Sequence, residues 1–134
     1  MFNSPEPFRL IEKAVAKILI AEDEEAVRNL VTRALELHDH EVKAVVDGSA
    51  ALEALTLDDY DLLLTDIVMP IVDGIALALK VASEYPDLRI LMMTGYAEQK
   101  RRAHNLDVLI HDVLLKPFTI EELARAVEQT LDAG

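Results

Sequence analysis

Residues 60–84 read YDLLLTDIVMPIVDGIALALKVASE. Within this stretch Tyr60–Thr65 places Leu62, Leu63 and Leu64 at successive positions. A continuous apolar run of strand length marks a strand covered on both faces, whereas a strand with one wet face alternates. Gly74–Glu84 then has helical period and stops before Tyr85-Pro86, because a residue preceding proline avoids the α region. Strand, loop and helix therefore follow one another within 25 residues.

The same unit repeats on both sides. Upstream, Lys17–Glu22 (KILIAE) is a strand, and Ala26, Val27, Leu30, Val31, Ala34 and Leu35 form the stripe of an amphipathic helix. Glu41–Val46 is a weaker strand, and Asp47-Gly48 signals the turn into a short helix over Ser49–Leu57. Downstream, Leu88–Met93 (LRILMM) is a strand, Ala97–Asn105 a weakly patterned helix, and Val108–Leu115 carries the fifth strand. The last helix begins at Thr119, where Thr119 and Glu122 form a capping box, with a core stripe of Ile120, Leu123, Ala124, Val127 and Leu131.

Five strands alternating with five helices predict an α/β fold with a parallel five-stranded sheet, doubly wound and with right-handed crossovers. Residues 1–16 stand outside this pattern as an N-terminal extension, and 17–134 make one domain. Pro5 and Pro7 make the start of the extension irregular, and Phe8–Ala16 has room for one or two helical turns with Phe8, Ile11 and Val15 on one side, read either as a loose tail or as a small packing or dimerisation element.

Composition excludes several classes. A net charge of −12, from 13 Lys and Arg against 25 Asp and Glu, repels nucleic acid. The chain has no cysteine, which removes disulfides, thiol catalysis and Cys-based zinc sites. Its apolar runs are too short for a bilayer, and its start lacks a signal-peptide pattern. A cytoplasmic protein without membrane contact is expected.

In such folds ligands bind at the carboxyl ends of the strands. Strand one ends in Glu22-Asp23-Glu24, strand three in Asp66, strand four in Thr94-Gly95 and strand five in Lys116-Pro117. Crowded carboxylates repel unless a cation intervenes. Mg²⁺ suits such a set because it takes six oxygen ligands, often carboxylates, waters and phosphate oxygens. An Asp carboxylate can also act as a covalent nucleophile toward a phosphoryl group.

Four segments in this order, ILIAEDE (18–24), LLLTDIVMPIVDG (62–74), MMTGYA (92–97) and LLKPF (114–118), resemble the receiver domains of bacterial two-component response regulators. The resemblance covers about Lys17 to Leu131. It implies a flavodoxin-like (βα)5 fold with strand order 2-1-3-4-5. It also implies roles: Asp66 as phosphoacceptor, Glu22, Asp23, Asp66 and the Val68 carbonyl as Mg²⁺ ligands, Thr94 as switch hydroxyl, and Lys116 on the phosphoryl group. The Lys116-Pro117 bond is expected to be cis, and Pro70 and Gly74 match the loop after the acceptor.

The implied donor is a sensor histidine kinase or a histidine phosphotransfer protein, and the implied output is an unidentified downstream protein. The resemblance further implies homodimer surfaces on the fourth and fifth helical segments. The chain looks most like the stand-alone, single-domain receivers of alphaproteobacteria, one group of which acts as adaptors in cell-cycle proteolysis. A receiver excised from a larger regulator or hybrid kinase is the alternative.

One departure is Val113, where many receivers carry an aromatic residue. Coupling is then expected through Thr94 and the 95–105 segment, with Tyr96 or His111 as substitutes for the missing ring. Lys100-Arg101-Arg102 is the densest basic run, read either as a solvated face or as a partner surface. A Mg²⁺-dependent phosphatase would use the same ingredients. Against it, position 68 is Val, so no second acid lies two residues after Asp66.

Overall fold

The computed structural model describes residues 15–105 and 112–132. The expected turns over Phe8–Ala16 lie almost wholly outside the described residues, as do the start of the fifth strand and His111. The strands are β1 (Lys17–Ala21), β2 (Glu41–Val45), β3 (Leu62–Asp66), β4 (Arg89–Thr94) and β5 (Asp112–Leu115). The helices are α1 (Glu25–Leu37), α2 (Gly48–Leu57), α3 (Gly74–Glu84), α4 (Ala97–His104) and α5 (Ile120–Asp132). All four strand pairings are parallel, and the order is β2-β1-β3-β4-β5.

Alternation along each strand decides which helices each residue meets. Leu19, Leu63, Ile90 and Met92 pack with residues of α2, α3 and α4, including Ala51, Leu77, Val81 and Ala103. Ile18, Ile20, Leu62, Leu64, Leu91 and Met93 pack with Val31, Ala34 and Leu35 of α1 and with Leu123, Ala126 and Val127 of α5. Every residue of β3 is buried, whereas edge strand β2 has no fully buried residue. That is why β3 reads as an unbroken leucine run and β2 reads weakly.

Local signals place the helix ends. Asp47 and Asp73 accept hydrogen bonds from the amides of Ala50 and Ala76, both at 2.8 Å, and cap α2 and α3. The Thr119 hydroxyl accepts from the Glu122 amide at 3.0 Å while Glu122 accepts from the Thr119 amide at 2.8 Å, completing the capping box. Two stripes sit differently from what their periodicity suggested. Leu30 of α1 and Ile120 of α5 are exposed, while Ala126 and Thr130 of α5 are buried. Periodicity gives the direction of a helix face, not how far the sheet reaches across it. No helix among the described residues is long and apolar enough to cross a membrane.

His40 is buried at the α1–β2 turn, and its Nδ1 accepts from the amide of Ala16 at 3.1 Å. Burial, and then the neighbouring His38, pulls its pKa below the usual 6.5, against weaker upward pulls from Glu128 and Asp39. The unfolded chain therefore binds a proton more readily, so this contribution is complete above pH 6.5 and is lost as pH falls through the depressed value. Urea titrations from pH 7.5 to pH 5 should show wild type losing stability faster than His40→Gln; parallel curves would remove His40 from the acid response.

Candidate functional site

The parallel sheet brings the carboxyl ends of β1, β3, β4 and β5 to one edge, and the sequence places a polar group at each. Glu22 follows β1 and is 0% exposed; Asp66 closes β3 and is 7% exposed. Asp23 stands beside them at the surface. Carboxylate oxygens of Glu22, Asp23 and Asp66 lie within 4.8 Å of one another. Lys116, just beyond β5, reaches back across the edge, with its Nζ 2.9 Å from Glu22 Oε1 and 3.1 Å from Asp66 Oδ2. Burial alone would lower the Lys116 pKa, but its hydrogen bonds to Glu22 and Asp66 more than reverse this and raise it above 10.5.

Backbone contacts hold these groups in place. Lys116 donates its amide to the Thr94 carbonyl at 2.7 Å, tying the end of β5 to that of β4, and the Lys116-Pro117 bond is cis as expected. The second oxygen of Glu22 accepts from the Glu24 amide at 3.0 Å. Asp66 Oδ1 accepts from the Val68 amide at 3.3 Å. Thr94 is fully buried, and its hydroxyl accepts from the Tyr96 amide at 3.2 Å rather than touching the carboxylates. The structure thus brings together Glu22, Asp23, Asp66 and Lys116, with Val68 on the rim and Thr94 one hydrogen bond along β4.

Two supporting residues, Arg28 and Ile71, were not singled out in the sequence. Arg28 donates to the carbonyls of Glu22 (3.0 Å) and Asp23 (3.3 Å) and pins the β1–α1 turn. A lone basic residue in the first turn of an acidic helix start was the available signal. Ile71 has φ 70°, with the Val72 amide donating to the Pro70 carbonyl at 2.8 Å across it. A β-branched residue in that region carries strain of about 1–3 kcal/mol, and nothing in its side chain announces it. Arg102 pairs with Asp73 at 3.4 Å, so part of the basic run is engaged within the fold.

Three carboxylates against one ammonium leave excess negative charge in a partly buried site. Hard oxygen donors with that excess fit Mg²⁺.

The response regulator receiver domain family matches residues 18–128. The chain belongs to that family. This receiver is 38% identical over 118 residues to the response regulator receiver protein CpdR of Brucella abortus, an alignment covering 88% of this chain and 98% of CpdR. It is 36% identical over 107 residues to the response regulator MprA of Mycobacterium ulcerans, covering 80% of this chain but only 46% of MprA. Among solved structures it is similar to the response regulator TrrA of Thermotoga maritima in complex with Mg²⁺ and BeF. There the TM-score is 0.78 at 26% identity, over 85% of this chain and 97% of TrrA. Receivers are signalling modules of two-component systems, and the flavodoxin-like architecture and strand order agree with these neighbours.

Proposed function

We propose that this receiver accepts a phosphoryl group on Asp66 from the phosphohistidine of a sensor histidine kinase or phosphotransfer protein. It then signals by contact with another protein. The observation that carries this reading is the Lys116 ammonium set between buried Glu22 and Asp66 with Asp23 alongside. An isolated buried carboxylate would be costly; this one is paired with Lys116 at the sheet edge.

In the transfer, an Asp66 carboxylate oxygen bonds to phosphorus as the phosphorus–nitrogen bond breaks and its electron pair returns to the donor imidazole. Asp66 therefore acts as nucleophile. Lys116 exchanges part of its contact with the carboxylates for the phosphoryl oxygens, as a point charge. Glu22, Asp23, Asp66 and the Val68 carbonyl would hold Mg²⁺, which when bound supplies neutralisation of the phosphoryl charge. Thr94 turns its hydroxyl toward the new oxygens, and release of its bond from Tyr96 shifts the adjoining α4 segment. Phosphorylation biases an equilibrium between two arrangements rather than creating one. The match to nearly the whole of CpdR supports a receiver without its own output domain, and the partial match to MprA supports the alternative of a larger regulator.

Intact mass after incubation with acetyl phosphate and Mg²⁺ tests the acceptor. One phosphoryl adduct is expected on wild type, none on Asp66→Asn and none in EDTA. An adduct surviving Asp66→Asn would move the acceptor elsewhere. If wild type gave no adduct and beryllium fluoride left its amide spectrum unchanged, the phosphoryl switch would be refuted.

A further inference from the structure

α4 buries less than any other helix: Ala103 is its single buried residue, and its N-cap, Tyr96, supplies no side-chain hydrogen bond. It packs against β4 and β5. Among the described residues, Arg102 is the one α4 side chain with a polar bond outside the helix. A guanidinium nitrogen lies 3.4 Å from Asp73 Oδ2, and another donates to Gln99 Oε1 at 3.0 Å.

Asp73 ends the loop that leaves the acceptor strand after Asp66. Two short closures stiffen that loop. The Gly74 amide donates to the Ile67 carbonyl at 2.7 Å, and the Val72 amide donates to the Pro70 carbonyl at 2.8 Å across Ile71. The second closure is a three-residue turn at positive φ, the strained form of the γ-turn. Asp73 Oδ1 caps α3 through the Ala76 amide, which leaves Oδ2 for Arg102.

We propose, on the phosphoryl-switch reading above, that the Arg102–Asp73 pair is a latch that holds α4 in its unphosphorylated arrangement. Two ties reach α4 from the phosphoryl site: the Thr94 hydroxyl holds the Tyr96 amide at its head, and Asp73 holds Arg102 in its last turn. Turning the Thr94 hydroxyl toward phosphoryl oxygens releases the first tie. α4 then moves only by stretching the second. The latch therefore opposes occupation of the site, and occupation opposes the latch by the same factor. Both partners are partly exposed, so the pair is weak. That suits a balance which one phosphoryl group must be able to tip. Arg102 bonds to none of Glu22, Asp23, Asp66 and Lys116 and is a positioning residue.

Beryllium fluoride with Mg²⁺ is the probe, titrated into the full-length protein while amide signals of residues 95–104 are followed. Arg102→Ala should reach half-saturation at a concentration about two- to fivefold lower than wild type, the scale of an exposed ion pair. Arg102→Glu, which sets like charge against Asp73, should go lower still, and Arg102→Lys should stay near wild type. Before any fluoride is added, the α4 signals of Arg102→Ala should already lie part-way toward the bound wild-type positions. Salt at about 0.5 M should bring wild type and Arg102→Ala together by screening the pair. Equal half-saturation for wild type, Arg102→Ala and Arg102→Glu would overturn the latch. So would free-state signals that move to random-coil positions, because α4 would then have merely unfolded. A wild type with no response to beryllium fluoride is a different result: it would refute the phosphoryl switch itself, and the latch with it.

Discussion

Gly74→Ala is expected to lower the unfolding free energy by about 3 kcal/mol. A Cβ at this position would lie 2.1 Å from the Asp66 carbonyl oxygen and 2.8 Å from the Ile67 Cα. Both are backbone atoms at the end of a fully buried central strand, so neither yields cheaply. The Gly74 amide also donates to the Ile67 carbonyl at 2.7 Å, closing the loop that carries Val68. Moving α3 aside to admit a methyl group would disturb that loop and the acceptor together, and adduct formation should slow. Gly95→Ala is the matched control, since a Cβ there meets nothing within 4 Å. Its effect should stay within about 0.5 kcal/mol. Urea titrations of both variants decide the matter: equal midpoints would mean that the close approach at Gly74 is not a constraint.

Lys116→Met is expected to cost about 3–5 kcal/mol in EDTA, because it strips two buried carboxylates of their shared counter-charge. Glu22 is 0% exposed, so water does little to soften the loss. Adding Mg²⁺ should return part of it, since a cation bound at the carboxylates replaces the missing charge. High pH should act in the same direction in the wild type. The Lys116 pKa is raised above 10.5, so the folded state holds this proton more tightly than the unfolded chain. The stabilisation is complete below 10.5 and disappears as pH climbs through the raised value. Thermal melts with and without Mg²⁺ test the pairing. A Met variant as stable as wild type in EDTA would show that the carboxylates do not depend on Lys116.

Much of the architecture was legible because burial leaves marks along the chain. Leu62, Leu63 and Leu64 can stand together only where both sheet faces are covered, and the structure covers them from both sides. Thr119 and Glu122 sit three apart, and they cap α5 reciprocally. The site was legible for a related reason. Parallel strands point their carboxyl ends the same way, so polar residues directly after successive strands must gather at one edge.

The sequence by itself determined the strands and helices, their alternation, the edge where Glu22, Asp23, Asp66 and Lys116 meet, and the family. These depend on periodicity and on contacts within a few residues. Only the tertiary structure decided that Lys116 bridges Glu22 and Asp66, residues 94 and 50 positions away. It alone turned the Thr94 hydroxyl toward the Tyr96 amide, exposed Leu30 and Ile120, and forced Ile71 to φ 70° at a position 86% exposed. It alone set Leu55, Tyr60, Tyr85, Leu88 and Leu131 around one cavity. Such features arise where distant segments compete for the same space. No local pattern records the outcome of that competition, because it is settled by packing across the whole fold.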